Sequence, residues 1–119
     1  MTESEIFALL EQALPRSAFL MLAPATAHEP YLIFTRISQL PANDMCGYAQ
    51  TDLVHYQIDS YAKTHAQALA NMENAIRLLR ASPDPPLVNN EQDMYEQDTR
   101  IHRVTIDIST WNEPSEVQP

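Results

Sequence analysis

Val54-His55-Tyr56-Gln57-Ile58-Asp59-Ser60-Tyr61-Ala62 runs within two residues into Thr64-His65-Ala66-Gln67-Ala68-Leu69, and the two periodicities that meet there decide the fold. Val54, Tyr56 and Ile58 alternate with His55, Gln57 and Asp59, the period of two that marks a strand with one face buried and one wet. From Thr64 to Ala81 the period changes. Leu69, Met72, Ile76 and Leu79, with Ala68 and Ala75 alongside, form the apolar stripe of a helix. Thr64 and Gln67 have the spacing of a capping box. Arg77 and Arg80 fall in the last turn, where cations suit the helix dipole. Ser82-Pro83-Asp84-Pro85-Pro86 then ends the helix.

Working outward, Thr2–Leu14 reads as a short helix. Thr2 and Glu5 cap it, Ile6, Leu9, Leu10 and Ala13 share a face, and Pro15 stops it. The apolar run 17–23 before Pro24 reads as a strand, and 24–30 as a loop. Tyr31–Ser38, rich in β-branched and aromatic residues between Pro30 and Pro41, is a strand. Residues 39–50, with Pro41, Asn43, Asp44 and Gly47, read as a long loop. Leu87–Glu96 is extended, 97–100 a turn, and 101–111 the last strand, with Val104, Ile106 and Ile108 opposed to Arg103, Thr105 and Asp107. The expected fold is α+β, an antiparallel or mixed β-sheet with two helices packed on one face. Residues 1–111 form its single domain, and 112–119 a loose tail.

Composition excludes several functions. Sixteen acidic against seven basic residues give a formal net charge of -9, which disfavours duplex DNA or an anionic membrane as the main partner. Cys46 is the one cysteine, so no intrachain disulfide and no multi-cysteine zinc site can form. Gly47 is the one glycine, which rules out glycine-rich phosphate loops. No apolar stretch approaches the ~18–20 residues that span a bilayer, and the acidic start Met1-Thr2-Glu3-Ser4-Glu5 does not read as a secretory leader. The expected compartment is the cell interior.

Candidate chemistry is sparse. His55 and Asp59 share a strand face but stand ~13 Å apart along an extended chain, too far for one metal. Cys46 has no base beside it in sequence. Glu91, Asp93, Glu96 and Asp98 lack the spacing of a calcium loop and read as a solvated acidic hairpin or as a surface for a basic protein. Arg36, Gln57, Asp59, Arg103, Thr105 and Asp107 are expected to put mixed charge on the outward sheet face, which suits the rim of a subunit interface. No cofactor or metal is expected, and no catalytic site assembles. Two further readings stay open: a small acidic monomeric adaptor or inhibitor, and a small metal protein or enzyme built on His55, Asp59 and His102.

The order of segments, together with Pro30–Ser38, Val54–Ala62 leading into a long helix, and Asp93–Thr99 followed by Arg103-Val104-Thr105-Ile106-Asp107-Ile108-Ser109-Thr110-Trp111, resembles the tail-completion (tail terminator, head–tail joining) family of tailed bacteriophages and prophages. The likeness spans roughly Glu5 to Trp111. It implies a non-enzymatic virion protein at the head–tail junction, assembled in the host bacterial cytoplasm. Such a protein caps the tail tube as a ring, commonly a hexamer, with the tail tube protein and the head connector as partners. DNA passes through the ring without sequence-specific recognition. The loop 39–50, with Asp44 and Met45, is expected to project toward a partner. Arg36, Arg100 and Arg103 are candidates to meet Asp59, Asp93 and Asp107 of a neighbour. The apolar run 17–23 and the near absence of glycine depart from the family's habit.

Overall fold

The computed structural model describes residues 1–24, 27–41, 52–97 and 99–112. Its elements follow the order α1 (Glu3–Ala13), β1 (Ala18–Leu20), β2 (Tyr31–Pro41), β3 (Asp52–Ala62), α2 (His65–Arg80), β4 (Leu87–Glu96) and β5 (Ile101–Asn112). The strands form one sheet in the order β1-β2-β3-β5-β4. β1 runs parallel to β2, and the other neighbours are antiparallel. The fold is therefore α+β with a mixed sheet.

Both helices start as their capping residues dictate. The Thr2 hydroxyl accepts the Glu5 amide at 3.3 Å, and the Glu5 carboxylate accepts the Thr2 amide at 2.9 Å. This reciprocal pair satisfies two orphan donors. The Thr64 hydroxyl accepts the Gln67 amide at 3.2 Å. α1 ends where Leu14 leaves helical geometry and Arg16 takes a φ of 64°.

One core joins the layers. Ile6 and Leu10 of α1 and Ala68, Met72, Ala75 and Leu79 of α2 pack with Leu32, Phe34, Val54, Tyr56, Ile58, Val104, Ile106 and Ile108. The sheet residues in that set share a face by register: Phe34 lies opposite Ile58, and Ile58 opposite Ile106. Both helices thus cover the same side. The stripe expected on α2 is rotated slightly, because the alanines rather than Leu69 and Ile76 lie deepest. Ala68 has no bulk beyond Cβ, which lets Ser60 reach across and donate its hydroxyl to the Ala68 carbonyl at 2.9 Å.

Three boundaries differ from the sequence reading. The run 17–23 forms only a three-residue strand, because Met21 adopts a φ of 69° and turns the chain. β2 continues past Ser38 to Pro41, since a bulge between Arg36 and Ser38 resets its register and lets pairing with β3 resume. β5 runs through Asn112 rather than stopping at Trp111. The rest of the expected loop, with Asp44, Met45 and Cys46, lies outside the described residues, as does the tail from residue 113.

Candidate assembly surface

With both helices on one side, the opposite face of the sheet is uncovered among the described residues. Register defines its rows. Tyr31 lies opposite Tyr61, Tyr61 opposite Arg103, and Arg103 opposite Met94. The next row is Ile33, Asp59, Thr105 and Gln92, and the one above it Thr35, Gln57, Asp107 and Asn90. Five of the six residues expected to share this face do so. Arg36 does not: it pairs with Tyr56, a core residue, just before the bulge, so its position belongs to the helix side.

Asp59 is the hub of the face and only 4% exposed. Its Oδ1 accepts the Thr105 hydroxyl at 2.6 Å and Arg103 Nε at 3.1 Å, and Gln57 Nε2 lies 3.1 Å from Oδ2. A buried carboxylate needs this degree of satisfaction. Arg103 also lies over the Tyr61 ring, 5.6 Å from its centroid. Partial burial works against the Arg103 charge. The Asp59 carboxylate more than offsets that and holds the guanidinium pKa above its ordinary value.

An aromatic row flanks the hub. Phe19 meets Tyr31 edge-on at 6.1 Å, and Tyr31 stacks on Tyr61 at 5.1 Å. Burial pushes both phenols above the usual tyrosine range, and the Asp59 charge adds to this for Tyr61. Beyond the Asp107 row, a shallow depression of about 400 Å³ is lined by Ile37, Ser38, His55, Tyr56, Asn89 and Asp107.

The other sequence candidates are dispersed. Arg103 and Asp59 pair within the chain. Asp107 is half-buried on the uncovered face. Arg100 is exposed in the β4–β5 turn with a φ of 57°. Asp93 lies on β4, where its Oδ2 is 3.0 Å from His65 Nε2. His55 and Asp59 occupy the uncovered face, whereas His102 lies opposite Ala62 on the helix side, so a site built on those three does not assemble. His102 instead packs against Tyr95 and His65, with ring centroids 4.7 and 6.1 Å away. Sequence reasoning missed that juxtaposition, because it depends on β5 inserting between β3 and β4. Among the described residues, no group of three His, Cys, Asp or Glu side chains is arranged to hold a metal ion. No helix among them is long and apolar enough to cross a membrane.

A two-layer α+β domain with an uncovered, hydrogen-bonded sheet face is a scaffold suited to assembly. Over residues 1–113 the chain matches the family described as tail completion protein gp17, and it belongs to that family. Among solved structures, it is similar in fold to a chain of the "Virion of native gene transfer agent (GTA) particle". The TM-score is 0.67 at 13% identity, with 89% of this chain and 85% of that one covered. No curated protein sequence matches the chain closely enough to count as a relative.

Proposed function

We propose that this protein closes the finished tail tube as a ring, a hexamer in the simplest form, and presents the surface that joins the tail to the head connector. The observation that carries this reading is family membership over residues 1–113, nearly the whole chain. The fold shared with a chain of a virion particle supports it. The role is structural and involves no catalysis, with residues 1–111 as the folded unit and the head–tail junction as its place. The net charge of -9 suits a ring through which DNA passes, because a negative lumen does not grip phosphates. Of the charged side chains proposed for contacts between subunits, Arg103 and Asp59 already satisfy each other and Asp93 pairs with His65, so the proposal falls first on Arg100 and Asp107.

Particle assembly in the absence of the protein tests the proposal. Filled heads and tail tubes should then accumulate unjoined, and adding the purified protein should restore joined particles. Heads and tails that join at normal yield without it would overturn the reading.

A further inference from the structure

The two edges of the sheet are built differently. β1 closes one side with three residues, and the positive φ of Met21 turns the chain away after Leu20. β4 closes the other side with ten, Leu87–Glu96. Its register with β5 shifts once, between Val88 and Asn90, and is then regular from Asn90 to Glu96. A long edge strand is ordinarily guarded by a lysine, a proline or a bulge that stops a further strand from adding to it. β4 has no lysine and no proline, and its bulge lies near one end. Among the described residues, its backbone bonds to no backbone group outside the sheet.

Both faces of β4 are open as well. Glu91, Asp93 and Tyr95 lie on the helix side, opposite Ile106, Val104 and His102, yet all three are exposed. The helices therefore stop short of β4. An open groove of about 620 Å³ is left there, lined by Glu73, Ile76, Arg77, Arg80, Val88 and Glu91. A strand laid along β4 would be wet on both faces, so backbone pairing and charge decide what binds.

Along β4 and the groove, Glu73, Glu91, Asp93 and Glu96 stand against Arg77 and Arg80, an excess of acid. Asp93 is taken by His65. Glu91 and Glu96 form no ion pair among the described residues. A second copy's β4 would set carboxylates against carboxylates, and the whole chain carries a net charge of -9, so another copy is the wrong occupant.

Resting on the reading that this protein joins tail to head, and not on the ring, we infer that the outer edge of β4 from Asn90 to Glu96 takes up an extended, basic segment of a different protein of the particle as an added strand. Lys or Arg side chains of that segment stand opposite Glu91 and Glu96, and the free N–H and C=O groups of β4 pair with its backbone.

The test uses particles joined from heads, tail tubes and the purified protein carrying p-benzoylphenylalanine at Asn90, Gln92 or Met94, one position at a time. All three positions are exposed and face away from the helices. A thermal melt confirms that each variant is folded, and cross-linked peptides are sequenced. The expected result is one segment of another particle protein captured from all three positions. The contact should move two residues along that segment for every two along β4, as paired strands require, with Lys or Arg beside the captured residues. Glu91→Lys combined with Glu96→Lys should cut the yield from Gln92 about tenfold, because two attractive cross-strand pairs become repulsive. Capture of a second copy of this chain, contacts that do not step, a captured segment without Lys or Arg, or joined particles without adduct would overturn the inference and leave the joining role standing. Heads and tails that stay apart when the unmodified protein is added would overturn the joining role, and this inference with it.

Discussion

Arg103 Nε lies 3.1 Å from Asp59 Oδ1, across the β3–β5 ladder, on the sheet face that no helix covers. The pair is local to one chain, and it anchors a network that includes Thr105, Gln57 and Tyr61. Asp59 is nearly inaccessible, so losing its cation leaves a buried carboxylate with only neutral donors. Arg103→Ala should destabilise the fold by about 2–3 kcal/mol, below the full penalty for a sealed pair because Arg103 keeps some contact with solvent. Urea unfolding of the single variants and of the double variant with Asp59→Asn measures this. A coupling energy near zero would show that the pair is not the anchor.

Helix α1 depends on two side chains. Thr2→Ala removes the acceptor for the Glu5 amide and should cost about 1 kcal/mol. Bonding to the Thr2 amide, and then to its hydroxyl, holds the Glu5 carboxyl below its ordinary pKa. A carboxyl lowered in the folded state contributes stability that is complete above its unfolded pKa and is lost as pH falls through the folded value. The wild-type protein should therefore lose the Glu5 contribution as pH falls from the unfolded carboxyl pKa through the lower folded value, and Thr2→Ala, which keeps the amide donor, should flatten that acid limb only in part. Thermal melts across pH show whether it does.

The contact between α2 and the sheet tolerates no added volume. Ala68 is fully buried and its carbonyl holds the Ser60 hydroxyl. Ala68→Leu should cost about 1–3 kcal/mol by overpacking, and Met72→Ala about 2–5 kcal/mol by leaving a cavity. Denaturant midpoints with unchanged slopes would confirm both.

At alkaline pH the aromatic row should respond. Burial raises the Tyr31 and Tyr61 phenols in the folded state. Stability is therefore fully present below the unfolded tyrosine pKa and declines as pH rises through the window up to the folded values. Absorbance titration of tyrosinate should show a late-titrating group that includes these two phenols, and Tyr61→Phe should remove one phenol from it. Tyrosines that all titrate together at the ordinary value would contradict the burial of this row.

Much of this fold was legible because two periodicities and two capping residues speak for themselves. The alternation Val54–Asp59 identified β3 and its buried face, and Thr2 and Thr64 marked both helix starts. What escaped was non-local. The Arg36/Ser38 bulge, which lengthens β2, depends on pairing with β3 and leaves no local signature, whereas the helix-side position of Arg36 follows from plain alternation with Leu32 and Phe34. The strand order that puts β5 between β3 and β4, and so brings His65, Asp93 and His102 together, is set by the whole sheet. The candidate surface was half legible. Gln57, Asp59, Arg103, Thr105 and Asp107 shared a face as their spacing required, but only the ladder register showed that Arg103 and Asp59 meet each other in one chain. The early end of the run 17–23 turns on the positive φ of Met21, a residue type that does not announce it.

Native mass spectrometry of the protein bound to the ends of purified tail tubes tests the ring assignment most directly. A single closed species, six copies per tube end in the simplest case, on tubes that then capture filled heads is the expected result. One copy per tube end, or no binding to tube ends at any concentration that binds heads, would contradict a ring that closes the tail.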